Sequence, residues 1–289
     1  MLRGPRLQRF RAALLQWYGP RARPLRIRKT RDPWAILVSE VMAQQTQITR
    51  VDEAWIGFME HYPTPASLAE ASTAEVLRAW AGLGYNRRAL NLQRAAVAVE
   101  ARRGGSVPQS IEELEALPGV GPYTARAVAA IAFGRPVAAI DTNVRRVITR
   151  VAGEDLRPGP LQTAADALVE PGDPATWTHA SMELGATVCV ARSPRCDSCP
   201  VAAWCASAGR IETPKRRVSS PEPAFELTTR WLRGRIIERL RALDEGEWEA
   251  LPPSIGEHDA EAIESAVEAL QGEGMLQRRP DGAVRLPSA

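Results

Sequence analysis

Four cysteines constrain this chain more than any other feature. Cys189, Cys196, Cys199 and Cys205 fall within 17 residues, spaced C-x6-C-x2-C-x5-C, and no other cysteine occurs in the 289 residues. A secreted disulfide scaffold would spread its cysteines to close long loops, whereas a tight cluster in a long chain is the ligand set of one metal centre. Tetrahedral zinc and an iron–sulfur cube are both held by four thiolates, and spacing alone does not choose between them.

The length predicts about two domains at ~100–200 residues each. A hydrophobic content of 45% and a charged content of 25% are those of a folded protein, which excludes wholesale disorder. No apolar run approaches the ~20 residues that span a bilayer, so no membrane role is expected. The basic N-terminus lacks the apolar core and cleavage site of a secretory signal, and the expected location is the cytoplasm. The net charge of +3 is unevenly spread. Residues 1–31 carry ten Arg or Lys and no acid, leaving the remainder net negative. Such a segment suits a polyanion partner, with a solvated tail as the alternative.

Apolar residues recur at helical spacing through most of the first 210 residues, and no run of alternating strands occurs there, so this part reads as all-α. Ser72 with Glu75, and Ser110 with Glu113, have the spacing of capping boxes. Gly82, Gly84, Gly134 and Gly153 stand where helices should stop. The expected organisation is a basic segment 1–31 packing with a cluster domain 137–211, a helical domain 32–136, a linker 212–224 and a module 225–289. In that module two helical stretches precede a hairpin around Pro280-Asp281-Gly282, a winged-helix-like pattern.

Residues 117–128 read LPGVGPYTARAV. One helix ends, Pro118-Gly119-Val120-Gly121 turns the chain, and Pro122 suits the first position of the next helix. Gly119 and Gly121 permit positive φ, and the turn amides together with the new helix N-terminus favour an anion such as a DNA phosphate. An ordinary helix–turn–helix corner is the alternative for the turn alone.

This stretch, followed by IDTNVRRV, resembles the helix-hairpin-helix and Gly/Pro-rich loop plus Asp signature of the base-excision DNA glycosylase superfamily. The cysteine spacing is similar to the [4Fe-4S] loop of its endonuclease III and adenine glycosylase branches. LVSEVMAQQTQ closely resembles a helix of A/G-specific adenine DNA glycosylases of the MutY type. Together these motifs cover roughly residues 20–210. The resemblance implies a two-domain helical fold with a [4Fe-4S] cluster, zinc being the less favoured metal. It also implies a partner, double-stranded DNA containing a mispaired or damaged base.

Breaking a base–sugar bond requires a protonated acid at the base and an ionised carboxylate near the sugar. The resemblance assigns these roles to Glu40 and Asp141, with Tyr123 and Asn143 as hydrogen-bonding support. The apolar flanks Leu37, Val38, Val41 and Met42 favour a semi-buried Glu40 with a raised pKa. Related endonucleases carry a lysine nucleophile where this chain has Tyr123, and its only lysines are Lys29 and Lys215. The expected enzyme is therefore monofunctional, with weak or no lyase activity. Gln45 and Tyr85 are expected to wedge into the duplex, with Gln44 beside them. Gly119, Val120 and Gly121 are expected on a phosphate. Arg87 and Arg88 are read as phosphate contacts, with a solvated helix face as the alternative.

Two departures bear on specificity. Where the family carries LPWR, this chain has Leu25-Arg26-Ile27-Arg28. Leu25, Ile27 and Arg28 are thus expected at the base pocket without its usual tryptophan, a loss of ~1–3 kcal/mol of stacking. Residues 225–289 show no Nudix-like pattern. They carry 13 acids against 8 bases, so a packing, dimerisation or protein-interaction role is expected there rather than sequence readout. The expected activity is release of adenine opposite guanine or 8-oxoguanine. Hypoxanthine, uracil or mismatched thymine are the alternative targets, and a non-catalytic binding module is the alternative class.

Overall fold

A computed structural model of the chain describes residues 2–102, 104–210 and 223–288. The linker expected at 212–224 lies outside the described residues except for its last two positions. In chain order the helices are α1 (Gly4–Tyr18), α2 (Pro33–Ala43), α3 (Ile48–His61), α4 (Pro65–Ala69), α5 (Thr73–Ala79), α6 (Arg87–Glu100) and α7 (Ile111–Glu115). They continue with α8 (Pro122–Phe133), α9 (Thr142–Ala152), α10 (Pro158–Asp166), α11 (Pro174–Thr187), α12 (Thr229–Arg241) and α13 (Ala260–Gly272). Two short strands, β1 (Gln277–Arg278) and β2 (Val284–Arg285), pair antiparallel with Gln277 opposite Arg285. Among the described residues no helix is long and apolar enough to cross a membrane.

The local signals act as their chemistry dictates. Ser72 and Glu75 form a reciprocal capping box at α5, with bonds of 2.7 and 3.2 Å. At α7, Ser110 accepts from the Glu113 amide. Gly134 and Gly153 end α8 and α9 at φ of 63° and 80°. In the hairpin the two glycines differ. Gly119 has φ of 78°, and a Cβ on it would stand 2.8 Å from Asn91 Cβ, so only glycine fits. Gly121 has φ of −99° and ψ of 179°, an extended residue ahead of α8 rather than the positive-φ residue expected.

The chain divides into two compact units, and their boundaries differ from those expected. The first comprises Met1–Glu40, Val107–Ala116 and Val120–Arg216; the second comprises Val41–Ser106, Leu117–Gly119 and Arg217–Ala289. The helices flanking the hairpin therefore belong with the cysteine loop and residues 32–40 instead of with 41–106. The reason is packing: α8 lies against both α7 and α11.

The core of the first unit joins Phe10, Leu14 and Tyr18 of α1 to Val147, Ile148 and Val151 of α9 and Trp177 and Leu184 of α11. Burying a Phe or Leu side chain contributes ~1.5–3 kcal/mol, enough to hold α1 in place. The basic N-terminal segment is thus no loose tail, since its α1 is amphipathic, with Arg6 and Arg9 exposed on the other face.

In the second unit Phe58 meets Trp80 edge-on at 5.8 Å, amid buried Leu68, Leu77 and Leu92. The C-terminal module is built into this unit instead of forming a separate domain. Ala74 N donates to Pro287 O at 3.0 Å. Arg241 of α12 donates to Leu77 O at 2.7 Å and to Asn86 Oδ1 at 2.8 Å.

Candidate active site

Glu40 stands near the end of α2, where Leu37, Val38, Val41 and Met42 are all 2% exposed or less. Although part of the residue reaches the surface, its Oε2 is sealed from solvent and has no hydrogen-bond partner. Burial pushes the carboxyl up to about 7. The charge of Asp141 adds to the rise, while the Tyr123 hydroxyl and Arg28 oppose it. Tyr123, in the first turn of α8, has its own pKa raised well above 10 by burial and by Glu40 and Asp141, so it keeps its proton. Its hydroxyl lies 3.9 Å from Met182 Sδ.

Asp141 is the N-cap of α9. It accepts from Val144 N at 2.6 Å and from Asn143 Nδ2 at 2.9 Å, which fixes its orientation. Asn143 Oδ1 in turn accepts from Arg146 at 2.8 Å. Arg146 also donates to Gly185 O and Cys189 O, both at 2.6 Å. A polar chain therefore runs from the carboxylate to the first cysteine. Gly185 permits it, because a Cβ there would stand 2.6 Å from Asn143 Cβ. Glu40, Tyr123, Asp141 and Asn143 are thus brought together within the first unit.

Sequence reasoning missed Glu183, which is 1% exposed on α11. Arg23 grips it through Nε at 2.7 Å and Nη2 at 3.0 Å, and Arg28 through Nη2 at 2.7 Å. Burial alone would raise its pKa, but the two guanidinium groups hold it below the usual carboxylate range. Arg28 also lies over the Tyr18 ring at 5.8 Å and keeps a buried Nη1 without a partner. One turn before Glu183 is His179. Burial, with Arg28 and Arg31, takes its pKa down to about 3, so it is neutral near pH 7. The available signal was an acid and a histidine four apart in HASMELGA, a helix otherwise rich in small and apolar residues. Of the expected base-pocket residues, Leu25 is buried, while Ile27 and Arg28, in a 3-10 turn, are half-buried.

The two residues expected to wedge into the duplex lie in the second unit. Gln45 and Tyr85 have φ of 58° and 46°, a left-handed backbone costly for any side chain and most unusual for an aromatic one. Gln44 Nε2 donates to Gly119 O at 3.3 Å, tying its loop to the hairpin turn. Arg87 is exposed. Arg88 is not a phosphate contact. It is 9% exposed and donates to the carbonyls of Val41, Met42, Gln44, Leu83 and Gly84 and to Thr46 Oγ1. Its guanidinium clamps the loop carrying Gln45 to the one carrying Tyr85 from inside.

The four cysteines are partly buried and free of disulfides. Burial raises the thiols of Cys199 and Cys205, and the neighbouring cysteines raise them further. Four cysteines gathered in one loop, with Cys199 and Cys205 disfavoured as thiolates by burial and by their neighbours, suit a thiolate-bound cluster whose positive charge removes that penalty. Arg150 donates to Cys189 Sγ at 3.3 Å and to the carbonyls of Val190 and Ala191, which fixes the entry of the loop.

A helical scaffold with this hairpin, buried acid and N-cap carboxylate defines a base-excision repair fold, and comparison with known proteins agrees. Residues 38–171 match the model of the HhH-GPD superfamily base excision DNA repair protein, and residues 189–205 match the iron-sulfur binding domain of endonuclease III. A thermostable thymine-DNA glycosylase is similar in structure, with a TM-score of 0.67 and 29% identity over 71% of this chain and 98% of that one. The adenine DNA glycosylase of Mycolicibacterium smegmatis is 39% identical over 94% of both chains, a share that includes most of the C-terminal module. The human adenine DNA glycosylase is 42% identical over 70% of this chain and 40% of its own length. The chain belongs to the adenine DNA glycosylase family, and its four cysteines hold a [4Fe-4S] cluster.

Proposed function

We propose that this chain works in the cytoplasm as a monofunctional glycosylase, hydrolysing the N-glycosidic bond of a flipped-out adenine mispaired with guanine or 8-oxoguanine in duplex DNA. The observation that carries this reading is the pair of carboxylates with opposed environments, Glu40 sealed and raised to about 7 and Asp141 fixed as a helix cap. Glu40 gives its proton to a ring nitrogen of the purine, and the bond from base to sugar breaks with its electrons leaving on the base. Asp141 stabilises the positive charge that develops on the sugar. Water then adds at the sugar carbon, loses a proton, and an abasic site remains. Tyr123 and Asn143 hold the two carboxylates. With tyrosine at position 123, no amine is present there to form a Schiff base. When bound, the cluster cross-links the four cysteines of its loop.

Gln45 and Tyr85 fill the space that the flipped base vacates, and their strained backbones present the side chains for it. Leu25, Ile27 and Arg28 line the base pocket. Arg87, Gly119, Val120 and Gly121 meet the phosphates, with Gln44 beside the wedge. The test is a panel of duplexes carrying adenine, hypoxanthine, uracil or thymine opposite guanine or 8-oxoguanine, with abasic sites cleaved by alkali. Adenine release is expected, with strand cleavage only after alkali, and Asp141→Asn abolishes it. Cleavage without alkali overturns the monofunctional reading. Release of another base in preference to adenine overturns the substrate.

A further inference from the structure

The C-terminal module does not have the uniform acidity that its overall count suggests. Helix α12 carries Arg230, Arg233, Arg235, Arg239 and Arg241 against the single acid Glu238, and the acids of α13 lie on a different helix. Within the second unit, α12 faces the wedge loops across a groove of about 970 Å³. Gln45, Arg50, Tyr85 and Arg87 line one side, with Phe225, Arg230 and Arg235 among the residues of the other. The guanidinium of Arg230 sits 5.2 Å from the centre of the Tyr85 ring and 4.8 Å from that of Phe225, and it donates to the Tyr85 hydroxyl. Both rings remain open, Tyr85 at 40% and Phe225 at 49% exposure. The other arginines on α12 are engaged. Arg233 pairs with Glu273, Arg235 with Glu238, and Arg241 with backbone and Asn86. Among the described residues no ion pair engages Arg230, Arg50 or Arg87, and all three line the one groove.

We propose that α12 completes the DNA-binding face: Arg230, seated between Tyr85 and Phe225, takes a phosphate of the strand lying in this groove and positions Tyr85 for insertion. Unpaired arginines beside open aromatic faces match a phosphodiester chain with a stackable base. The groove is also continuous with the loops that carry Gln45 and Tyr85. The inference rests on the reading that these two residues enter DNA, but its test does not need base release.

The full chain, with its cluster, is titrated onto a fluorescent duplex holding a tetrahydrofuran abasic analogue opposite guanine, at several salt concentrations. Arg230→Ala is expected to weaken binding roughly tenfold and to reduce the salt slope by about one. Arg230→Lys restores the slope. Arg278→Ala, which removes a module arginine outside the groove, changes neither. An unchanged affinity and slope in Arg230→Ala, or an equal loss in Arg278→Ala, overturns the proposal. Selective competition by an acidic protein with no effect of Arg230→Ala on DNA assigns the groove to a protein and also overturns it. A wild-type chain that releases no adenine yet loses the slope in Arg230→Ala leaves this inference standing and removes the catalytic one.

Discussion

Glu40 on α2 and Glu183 on α11 are both buried carboxylates in the same unit, yet their environments drive them in opposite directions. Glu183 is met by Arg23 and Arg28 in a three-bond clamp, and the pairing overcomes burial and keeps it ionised. Glu40 has an orphaned Oε2 and only indirect help from Arg28, so burial wins and the acid is poised near neutrality. A single arginine faces both residues but binds only one of them. Buried acids thus diverge according to whether cations close on them, as Arg23 and Arg28 together do on Glu183 and neither does on Glu40.

The largest effect that could break this contrast belongs to Glu40. Glu40→Gln removes the transferable proton and is expected to lower single-turnover adenine release by ~10²–10⁴-fold while DNA binding persists. Because the native acid is held against burial, the same variant should have a higher Tm than wild type at pH 8. A fall in Tm there would show that Glu40 is paired rather than poised.

Glu183→Gln should act on stability instead. It leaves Arg23 and Arg28 facing a neutral partner in a buried site, at a cost of ~3 kcal/mol measured by urea unfolding. An unchanged unfolding midpoint would place Glu183 outside the clamp.

The smallest effect sharpens the comparison through pH. Base release should decline above pH 7, approaching about tenfold per unit, as Glu40 loses its proton. The signs for stability are opposite. Glu40, raised in the fold, lowers stability as pH climbs from about 4.5 to about 7. Glu183, lowered in the fold, contributes stability that disappears as pH falls through its depressed pKa. A rate that stays level to pH 9 would remove Glu40 as the acid.

Much of the site was legible because its signals are local. The proline and glycine turn at 118–121, the capping pair Ser72 and Glu75, and the spacing of the cysteines all depend on neighbours a few residues away. The apolar flanks of Glu40 correctly foretold its raised pKa. Arg88 was misread because an arginine beside an exposed one on a helix looks like a solvated face. Its burial depends on carbonyls more than 40 residues upstream. Summing the charges of 225–289 cannot register that five of its eight bases gather on α12, which carries a single acid.

The sequence by itself determined the chemistry available: four cysteines in one loop, a Gly/Pro hairpin, two carboxylates at motif positions and no lysine beside them. Spacing and residue type suffice for these, since each is a property of a short segment. Only the tertiary structure decided which charged groups are paired. Glu183 meets Arg28 across 155 residues of chain, and Arg230 meets the Tyr85 ring across 145. Protonation state and surface charge depend on burial and on the nearest opposite charge, and the fold alone sets both.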